Sequence, residues 1–227
     1  MDPKEVAGRK AAEYVNDGMV VGLGTGSTAV HLIRALGERV AQGLQIQAIP
    51  TSEASARLAK ELGIELISLE ENPVVDLTID GADEVDPTLQ LIKGLGGALL
   101  REKIVAAASN HRITIIDPGK LVTHLGAHAP LPVEVVPFGW PVVQRFMVEE
   151  KIIASLRLRP QGDEPFVTDN GNYILDCRFP QGIADPAFTE SWLNHLPGVV
   201  ENGLFVNMAD LVIVGYEDGT CRLMERG

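Results

Sequence analysis

The chain has 227 residues, a formal net charge of −12 at pH 7, and 45% hydrophobic but only 5% aromatic residues. Nucleic-acid backbones attract basic faces, so this acidic balance argues against a nucleic-acid partner. No apolar run approaches the length of a membrane-spanning helix, and the first residues lack the apolar core of a signal peptide. The two cysteines form no CxxC pair, which is typical of reduced thiols. We therefore expect a cytoplasmic protein that makes no membrane contact.

Short apolar runs alternate with helical patterns in the first half of the chain. Four apolar runs predict strands at 19–23, 46–49, 74–79 and 113–116. Helical spacing predicts helices at 28–40, 53–62 and 98–108. This alternation predicts an α/β fold, with a mostly parallel Rossmann-like sheet and helices on both of its faces. Ligands of such sheets bind at the carboxyl ends of the strands, so the polar segments that follow strands are candidate sites.

The pattern changes in the second half of the chain. Strands are predicted at 130–137, 154–159, 166–179 and 199–205, and helices at 140–150 and 186–196. The third of these strands carries the hairpin-turn sequence DNGN at 169–172. The order βαββαβ predicts a smaller inserted α+β domain of the ferredoxin-like type. A last strand at 210–215 is expected to rejoin the first sheet, so we assign 1–127 and 204–227 to a large α/β domain and 128–203 to the small domain.

The glycine-rich segment GLGTGST, residues 22–28, lies between the first predicted strand and the helix that follows it. Glycines let backbone N–H groups converge on an anion, and the start of a helix adds partial positive charge. Thr25, Ser27 and Thr28 add hydroxyl donors around Gly26. The spacing matches neither the dinucleotide motif nor the P-loop, so it favours a single phosphate group. A tight turn whose Ser or Thr caps the helix is the alternative interpretation.

The acidic segment DGADE follows the predicted strand at 74–79. It delivers Asp80 and Asp83 to the edge of the sheet where ligands bind, with Gly81 and Ala82 between them. An Asx-type turn explains one aspartate well but explains three acids poorly. A magnesium ion is an alternative guest for such carboxylates. With Lys93 expected nearby, we favour a site without metal.

Glu102 lies on an apolar face of its predicted helix, together with Ala98, Leu99, Val105 and Ala106. A carboxylate on such a face is costly unless it is paired or functional. Desolvation raises the pKa of a carboxyl group toward the range in which a general base works. The alternative is a glutamate that reaches around the helix to a lysine or an arginine.

Two further features concern charge and metal binding. Lys120 follows the turn 117–119 at the end of a predicted strand, where it can supply the local positive charge that an anionic substrate needs in an acidic protein. An ordinary surface lysine is the alternative.

Among the five histidines only His124 and His128 have helical spacing, with Gly126 between them and no HExxH pattern. We therefore predict no metal site.

Taken together, these motifs resemble the ribose-5-phosphate isomerase A family. The matching stretches keep one order and spread over nearly the whole chain: VGLGTGSTA, DGADEVD, KGLGGALLREKIV, DPGKLV, PLPVEVVPF, VTDNGNYILD and PGVVENGLF. The resemblance implies reversible conversion of D-ribose 5-phosphate to D-ribulose 5-phosphate through an enediol, without metal or organic cofactor. It also implies a place in the non-oxidative branch of the pentose phosphate pathway and a homodimer or homotetramer.

The resemblance also implies roles for individual residues. The general base falls on Glu102, and the acids that assist ring opening and move hydroxyl protons fall on Asp80 and Asp83. The lysine that stabilises the developing oxyanion falls on Lys93. The remaining substrate and phosphate contacts fall on Thr25, Gly26, Ser27, Thr28, Gly81, Ala82, Gly94, Leu95, Gly96 and Lys120.

One departure and two other functions accompany this hypothesis. The family usually has an unbroken glycine run after the lysine, and Leu95 interrupts it here. A leucine there is strained if the loop requires a positive φ.

A sugar-phosphate sensor of the same fold would bind without turnover, and it would lack the base or carry a DNA-binding module. A related acyl or CoA transferase would need a carboxylate nucleophile, for which the sequence offers a candidate acid. It would also need a large nucleotide site, of which the sequence shows no sign.

Overall fold

The structure is a computed structural model that describes residues 1–226. It contains fourteen strands and six α-helices within those residues, together with one 3-10 turn at Pro118–Lys120. The strands are β1 Val20–Leu23, β2 Gln47–Pro50, β3 Glu65–Leu66, β4 Val75–Gly81, β5 Glu84–Val85, β6 Leu91–Ile92, β7 Ser109–Ile116, β8 Leu131–Val135, β9 Ile153–Leu156, β10 Tyr173–Arg178, β11 Val199–Asn202, β12 Leu204–Phe205, β13 Leu211–Gly215 and β14 Cys221–Glu225. The helices are α1 Pro3–Ala12, α2 Ser27–Ala41, α3 Glu53–Glu61, α4 Leu99–Ala107, α5 Trp140–Glu149 and α6 Pro186–Asn194.

Seven strands form the large sheet, in the order β14-β13-β7-β4-β1-β2-β3. All neighbouring pairs are parallel except β13 with β14. The predicted mostly parallel α/β sheet is therefore confirmed, and the strand near the end of the chain does rejoin it. From β1 the chain moves outward through β2 and β3, and then returns to place β4 on the other side of β1. This reversal creates a topological switch point at the carboxyl ends of β1 and β4, where ligands of such sheets bind.

Helices cover both faces of the large sheet. One core cluster joins α1, α2 and α3 to side chains such as Val21 and Ile79, and a second joins Val105 of α4 to Val20 and Val75. Val20 and Val21 are adjacent on β1 and so point to opposite faces. The predicted arrangement of helices is confirmed. Helix α1 lies so close to β13 that a side chain at Gly215 would overlap the backbone of α1.

A second sheet has four antiparallel strands in the order β11-β8-β10-β9. Numbered along the chain, that order is 4-1-3-2, with α5 and α6 as the two connections. The predicted ferredoxin-like α+β arrangement is therefore confirmed. Its core includes Val133, Leu175, Met147 and Leu193, all with no measurable exposure.

A third sheet, in the order β12-β6-β5, was not predicted. Each of its strands has only two residues, too few to show a hydrophobic period. By contacts the chain forms two compact units, the first comprising 1–82, 101–121 and the residues from 207 onward, and the second comprising 83–100 and 122–206. The predicted domains differ from this division by contacts at 83–100, 122–127 and 204–206, which they assign to the large domain, and they stay a prediction.

No helix among the described residues is long and apolar enough to cross a membrane.

Candidate functional site

Asp80 is the penultimate residue of strand β4, at the switch point of the large sheet, and it is only 7% exposed. Its Oδ1 accepts hydrogen bonds from the backbone N–H groups of Thr25, at 2.9 Å, and Gly81, at 2.7 Å. Gly24, which follows β1, has no room for a side chain because a Cβ there would run into this carboxylate. The glycine-rich segment and the first acid of DGADE are therefore brought together, as the predicted parallel sheet requires.

The start of helix α2 has the features of an anion-binding site. Its N-cap is Gly26, with a φ of 102°, and no side chain caps the helix. The first N–H groups of an α-helix have no partner within the helix, and the helix dipole adds positive charge at the same end. Ser27 is exposed, whereas Thr28 is only 8% exposed. Among the two interpretations of GLGTGST, this geometry favours the phosphate cradle over a turn capped by a side chain.

Lys4 is a candidate phosphate ligand that the sequence did not reveal. Its ammonium group donates a hydrogen bond to Ser27 Oγ at 3.0 Å, although the two residues are 23 positions apart. Lys4 also lines a cavity of about 610 Å³ together with residues 117–119, the turn that ends in Lys120. A lysine near the beginning of the chain has no local signal for this role, since only the packing of α1 on α2 brings it here.

The hydroxyl of Thr25 belongs to a cluster of hydroxyl groups. Its Oγ1 lies 2.8 Å from Thr51 Oγ1, 2.9 Å from Ser52 Oγ and 3.3 Å from Ser55 Oγ. Ser55 Oγ in turn donates to the carbonyl oxygen of Gly24 at 2.6 Å. This cluster ties the loop after β1 to the start of α3. Thr51 and Ser52 directly follow β2, and that position at a strand end was the signal that could have identified them.

Glu102 is 4% exposed on helix α4. Val105 and Ala106, three and four positions further on, are 3% and 6% exposed, whereas Ile104 on the opposite side is 47% exposed. The helical spacing therefore correctly predicted a buried carboxylate on an apolar helix face. Such a carboxylate is among the features that mark functional sites.

In the second unit, Asp83 directly precedes strand β5 and Lys93 directly follows strand β6. The backbone N–H of Asp83 donates to the carbonyl oxygen of Ile92 at 2.8 Å, so the acid flanks the strand that leads into Lys93. Lys93 is 5% exposed, and its ammonium lies 5.3 Å from the centre of the Phe205 ring. A cation over an aromatic face is stabilised by the ring quadrupole. Burial and this contact restrict the position of the ammonium group.

The loop after Lys93 tolerates its leucine without strain. The positive φ angles fall on Gly94, at 99°, and Gly97, at 81°, and Leu95 is not among the non-glycine residues with positive φ. The N–H of Leu95 donates to Asp83 Oδ2 at 3.0 Å. The conformation that would strain a leucine is therefore taken by its glycine neighbours.

Across residues 1–226, no group of three or more His, Cys, Asp or Glu side chains is placed to hold a metal ion.

The sequence and the fold are both similar to those of known proteins. Residues 47–219 match the family model described as ribose 5-phosphate isomerase A (phosphoriboisomerase A). A ribose-5-phosphate isomerase A of Gloeobacter violaceus is 58% identical over 217 residues, which cover 95% of this chain and 93% of the relative. Another, of Bacillus mycoides, is 51% identical over 219 residues, which cover 96% of this chain and 98% of the relative.

Two solved structures share the fold over nearly the full length. A D-ribose-5-phosphate isomerase in complex with phospho-erythronic acid has a TM-score of 0.95 at 42% identity, covering 99% of this chain and 98% of that chain. Ribose 5-phosphate isomerase A from Methanocaldococcus jannaschii has a TM-score of 0.94 at 42% identity, with the same coverage of 99% and 98%. The similarity therefore includes both compact units.

Proposed function

Because the chain belongs to the ribose-5-phosphate isomerase A family, we propose that it converts D-ribose 5-phosphate reversibly to D-ribulose 5-phosphate by proton transfer through an enediol. The observation that carries this mechanism is Glu102, a carboxylate 4% exposed on an apolar helix face. A buried carboxylate is a stronger base than one in water, because desolvation disfavours its charged form. Abstraction of a proton from carbon beside a carbonyl requires such a base.

Glu102 removes the proton from C2 of the open-chain aldose, and the electron pair of that bond moves toward C1 and its carbonyl oxygen. The enediolate that forms transfers the O2 proton to O1. The base then returns its proton to C1, which leaves a carbonyl at C2. One C–H bond breaks and one forms, so the overall change is an isomerisation that needs no oxidant and no organic cofactor.

Three other side chains complete the proposed chemistry. Asp80 and Asp83 assist opening of the furanose ring and move the hydroxyl protons. Lys93 stabilises the negative charge that develops on the substrate oxygen. A preorganised charge in a water-poor site is usually the largest single contribution to catalysis. The burial of Asp80 and Lys93, at 7% and 5% exposure, supports these roles.

We place the substrate phosphate at the start of α2, on Gly26, Ser27 and Thr28, with Lys120 as a second source of charge. Lys4 joins this set because its ammonium already contacts Ser27. An overall charge of −12 repels an anionic substrate at long range, so local positive groups must dominate at contact distance. The remaining contacts to the substrate are proposed on Thr25, Gly81, Ala82, Gly94, Leu95 and Gly96.

We propose a homodimer or homotetramer located in the cytoplasm, acting in the non-oxidative branch of the pentose phosphate pathway. The family resemblance supports this assembly and location. Sedimentation velocity of the purified chain measures the assembly, and a monomer at micromolar concentration would contradict it.

The decisive experiment follows ribulose 5-phosphate formation from ribose 5-phosphate in the wild type, Glu102→Gln and Glu134→Gln. Glu134 is a matched control, because it is a fully buried carboxylate that accepts hydrogen bonds from a hairpin turn. We expect Glu102→Gln to fold normally and to lose turnover by about 10²–10⁴-fold, the usual worth of a general base. The control should retain turnover.

Two results would contradict different parts of this proposal. Wild-type turnover by folded Glu102→Gln would remove Glu102 as the base but leave the isomerase reaction in place. Binding of ribose 5-phosphate by the wild type without any turnover would favour a sensor. Chelation of metal ions with EDTA should leave turnover unchanged if the carboxylates act without metal.

A further inference from the structure

We propose that Arg157 is a positioning residue for the substrate loop, and that Asp176 orients it for this role. The loop runs from Lys93 to Gly97, and its part in binding substrate rests on the function proposed above. Neither residue belongs to the sites identified from sequence.

Arg157 and Asp176 form a two-point ion pair beside the ferredoxin-like sheet. Arg157 Nε donates to Asp176 Oδ2 at 2.8 Å, and Nη2 donates to Oδ1 of the same carboxylate. The two side chains are 13% and 25% exposed. Asp176 lies on β10, and Arg157 directly follows the end of β9, so two paired strands determine where the guanidinium lies. A bidentate pair of this kind sets the orientation of the guanidinium plane as well as its position.

The third nitrogen of the guanidinium reaches the loop. Nη1 donates to the carbonyl oxygen of Leu95 at 3.0 Å and to that of Gly94 at 3.3 Å. The side chain therefore uses one edge to bind Asp176 and the remaining nitrogen to bind two successive peptide groups. A lysine has a single nitrogen without this planar arrangement and could not do both in the same way.

Phe166 supports the same loop from a second direction. The guanidinium carbon of Arg157 lies 5.9 Å from the centre of the Phe166 ring, and the N–H of Phe166 donates to the carbonyl oxygen of Arg157 at 2.9 Å. The ring packs so closely on Gly97 that an added Cβ there would lie 2.6 Å from two ring atoms. The loop is thus held at Gly94 and Leu95 by Arg157 and at Gly97 by the ring that Arg157 faces.

Because a peptide group is planar, a hydrogen bond that fixes the direction of its carbonyl group also fixes the direction of its N–H group. A trans peptide points its C=O and its N–H in opposite directions. The carbonyls of Gly94 and Leu95 share their peptide groups with the N–H of Leu95 and of Gly96. Because Arg157 binds both carbonyls, both N–H groups point away from it. The N–H of Leu95 accordingly meets Asp83, and Gly96 is exposed where a ligand can reach its N–H.

The expected benefit is preorganisation. Three glycines make the loop flexible, and ordering a flexible loop during the reaction opposes catalysis. Donors that already point toward the developing charge need no such reorganisation. Arg157 therefore acts on the reaction through the loop and does not itself need to contact the substrate.

The test compares Arg157→Lys with Arg112→Lys. Arg112 also forms a bidentate pair, donating to Asp210 at 3.0 Å from Nε and 2.9 Å from Nη2, in the first unit. In both variants the positive charge stays and the planar fork is lost. We expect Arg157→Lys to lose about 10–100-fold in kcat, as small displacements of positioning groups do. Arg112→Lys should keep kcat and KM within about twofold, the range of surface changes away from the site.

Calorimetric titration of two ligands separates a positioning role from a general loss of structure. Phospho-erythronic acid carries a carboxylate as well as a phosphate, whereas inorganic phosphate tests the start of α2 alone. We expect Arg157→Lys to bind phospho-erythronic acid at least about tenfold more weakly and to bind inorganic phosphate as the wild type does. Equal weakening of both ligands, or of neither, would overturn the proposal.

Amide hydrogen exchange tests the loop without reference to activity. The amides of Leu95 and Gly97 should exchange faster in Arg157→Lys than in the wild type and Arg112→Lys, because their loop is no longer held. Unchanged exchange in a folded variant would overturn the proposal even if the isomerase reaction is confirmed. Absence of turnover in the wild type would overturn only the proposed function. If Arg157→Lys does not fold, Asp176→Asn replaces it, and we expect the same faster exchange and weaker binding of phospho-erythronic acid, but to a smaller extent. Amide exchange and ligand binding in Asp176→Asn that equal those of the wild type would overturn the proposal.

Discussion

The carboxylate of Glu84 accepts a hydrogen bond from the backbone N–H of Gly126 at 2.6 Å. The N–H groups of His128 and Ala129 donate to its other oxygen at 2.6 Å and 2.7 Å. Glu84 is 1% exposed and directly follows Asp83 on the chain. The last acid of DGADE therefore binds a neighbouring loop. It anchors the two-residue strand β5, which directly follows Asp83, the acid proposed to work on the substrate.

Replacing Glu84 with alanine should destabilise the protein strongly. Three backbone N–H groups would lose their acceptor, and each buried group left without a partner costs about 1–3 kcal/mol. We expect Glu84→Ala to lose about 3 kcal/mol or more, and Glu84→Gln to lose less because one oxygen remains. The midpoint of urea unfolding measures the effect, with exposed Glu70→Ala as the control. An unchanged midpoint for Glu84→Ala would mean that the loop finds other acceptors.

Replacing Leu95 with glycine restores the unbroken glycine run without improving the enzyme. Leu95 already has an unstrained backbone, so glycine removes no strain and adds only flexibility in the unfolded chain. We expect Leu95→Gly to lose about 0.5–1 kcal/mol of stability. Its kcat should not rise. Steady-state kinetics together with thermal unfolding decide the matter, and a clear gain in kcat would show that the leucine does restrict the loop.

Lys4 should contribute to phosphate binding more than to the chemical step. We expect Lys4→Met to raise KM about 5–30-fold with little change in kcat, since a contact to the phosphate is made equally in the ground state and the transition state. Lys10→Met is the matched control, because Lys10 lies on the same helix and pairs with Glu13 at 2.6 Å. Equal KM values for the two variants would exclude Lys4 from the phosphate site.

Asp210 should contribute stability that disappears on acidification. Burial by itself raises its pKa, but the hydrogen bonds from the side chain and backbone of Arg112 together outweigh that effect and hold the pKa below its usual range. His111 Nδ1, 3.6 Å away, lowers it further when protonated. A carboxyl group with a lowered pKa in the folded state stabilises the protein above its unfolded pKa, about 3.9, and ceases to do so as the pH falls through the folded value.

Comparison of the wild type with Asp210→Asn over pH tests this sign. The wild type should be the more stable protein above about pH 5, and the difference should shrink steadily below about pH 4. Urea unfolding at several pH values measures it. A difference that stays constant down to pH 2 would show that the contribution of Asp210 does not depend on its charge.

The features that the sequence predicted either show a regular hydrophobic spacing or lie at the end of a predicted strand. Alternating apolar runs gave the parallel sheet, and a parallel sheet brings the segments after β1 and β4 to one edge. That is why Asp80 and Thr25 could be expected together. Glu102 was recognisable because helical spacing places it with Val105 and Ala106, which are also buried.

The features that were missed depend on contacts between distant parts of the chain. Strands β5, β6 and β12 have two residues each, and their pairing is determined by neighbours and not by their own sequence. Lys4 reaches Ser27 only because α1 packs on α2. Arg157 reaches Leu95 across 62 positions, and nothing near either residue indicates that contact. Tertiary packing of this kind leaves no local pattern.

The close packing of α1 on β13 has a consequence for the order of folding. Lys4 lies on α1, whereas Gly215, whose missing side chain lets α1 approach the sheet, lies on β13, far away in the sequence. Contacts between segments so distant in sequence form slowly, because a long loop must close before they are made. We therefore expect Lys4 to reach Ser27, and the proposed phosphate site to be completed, late in folding.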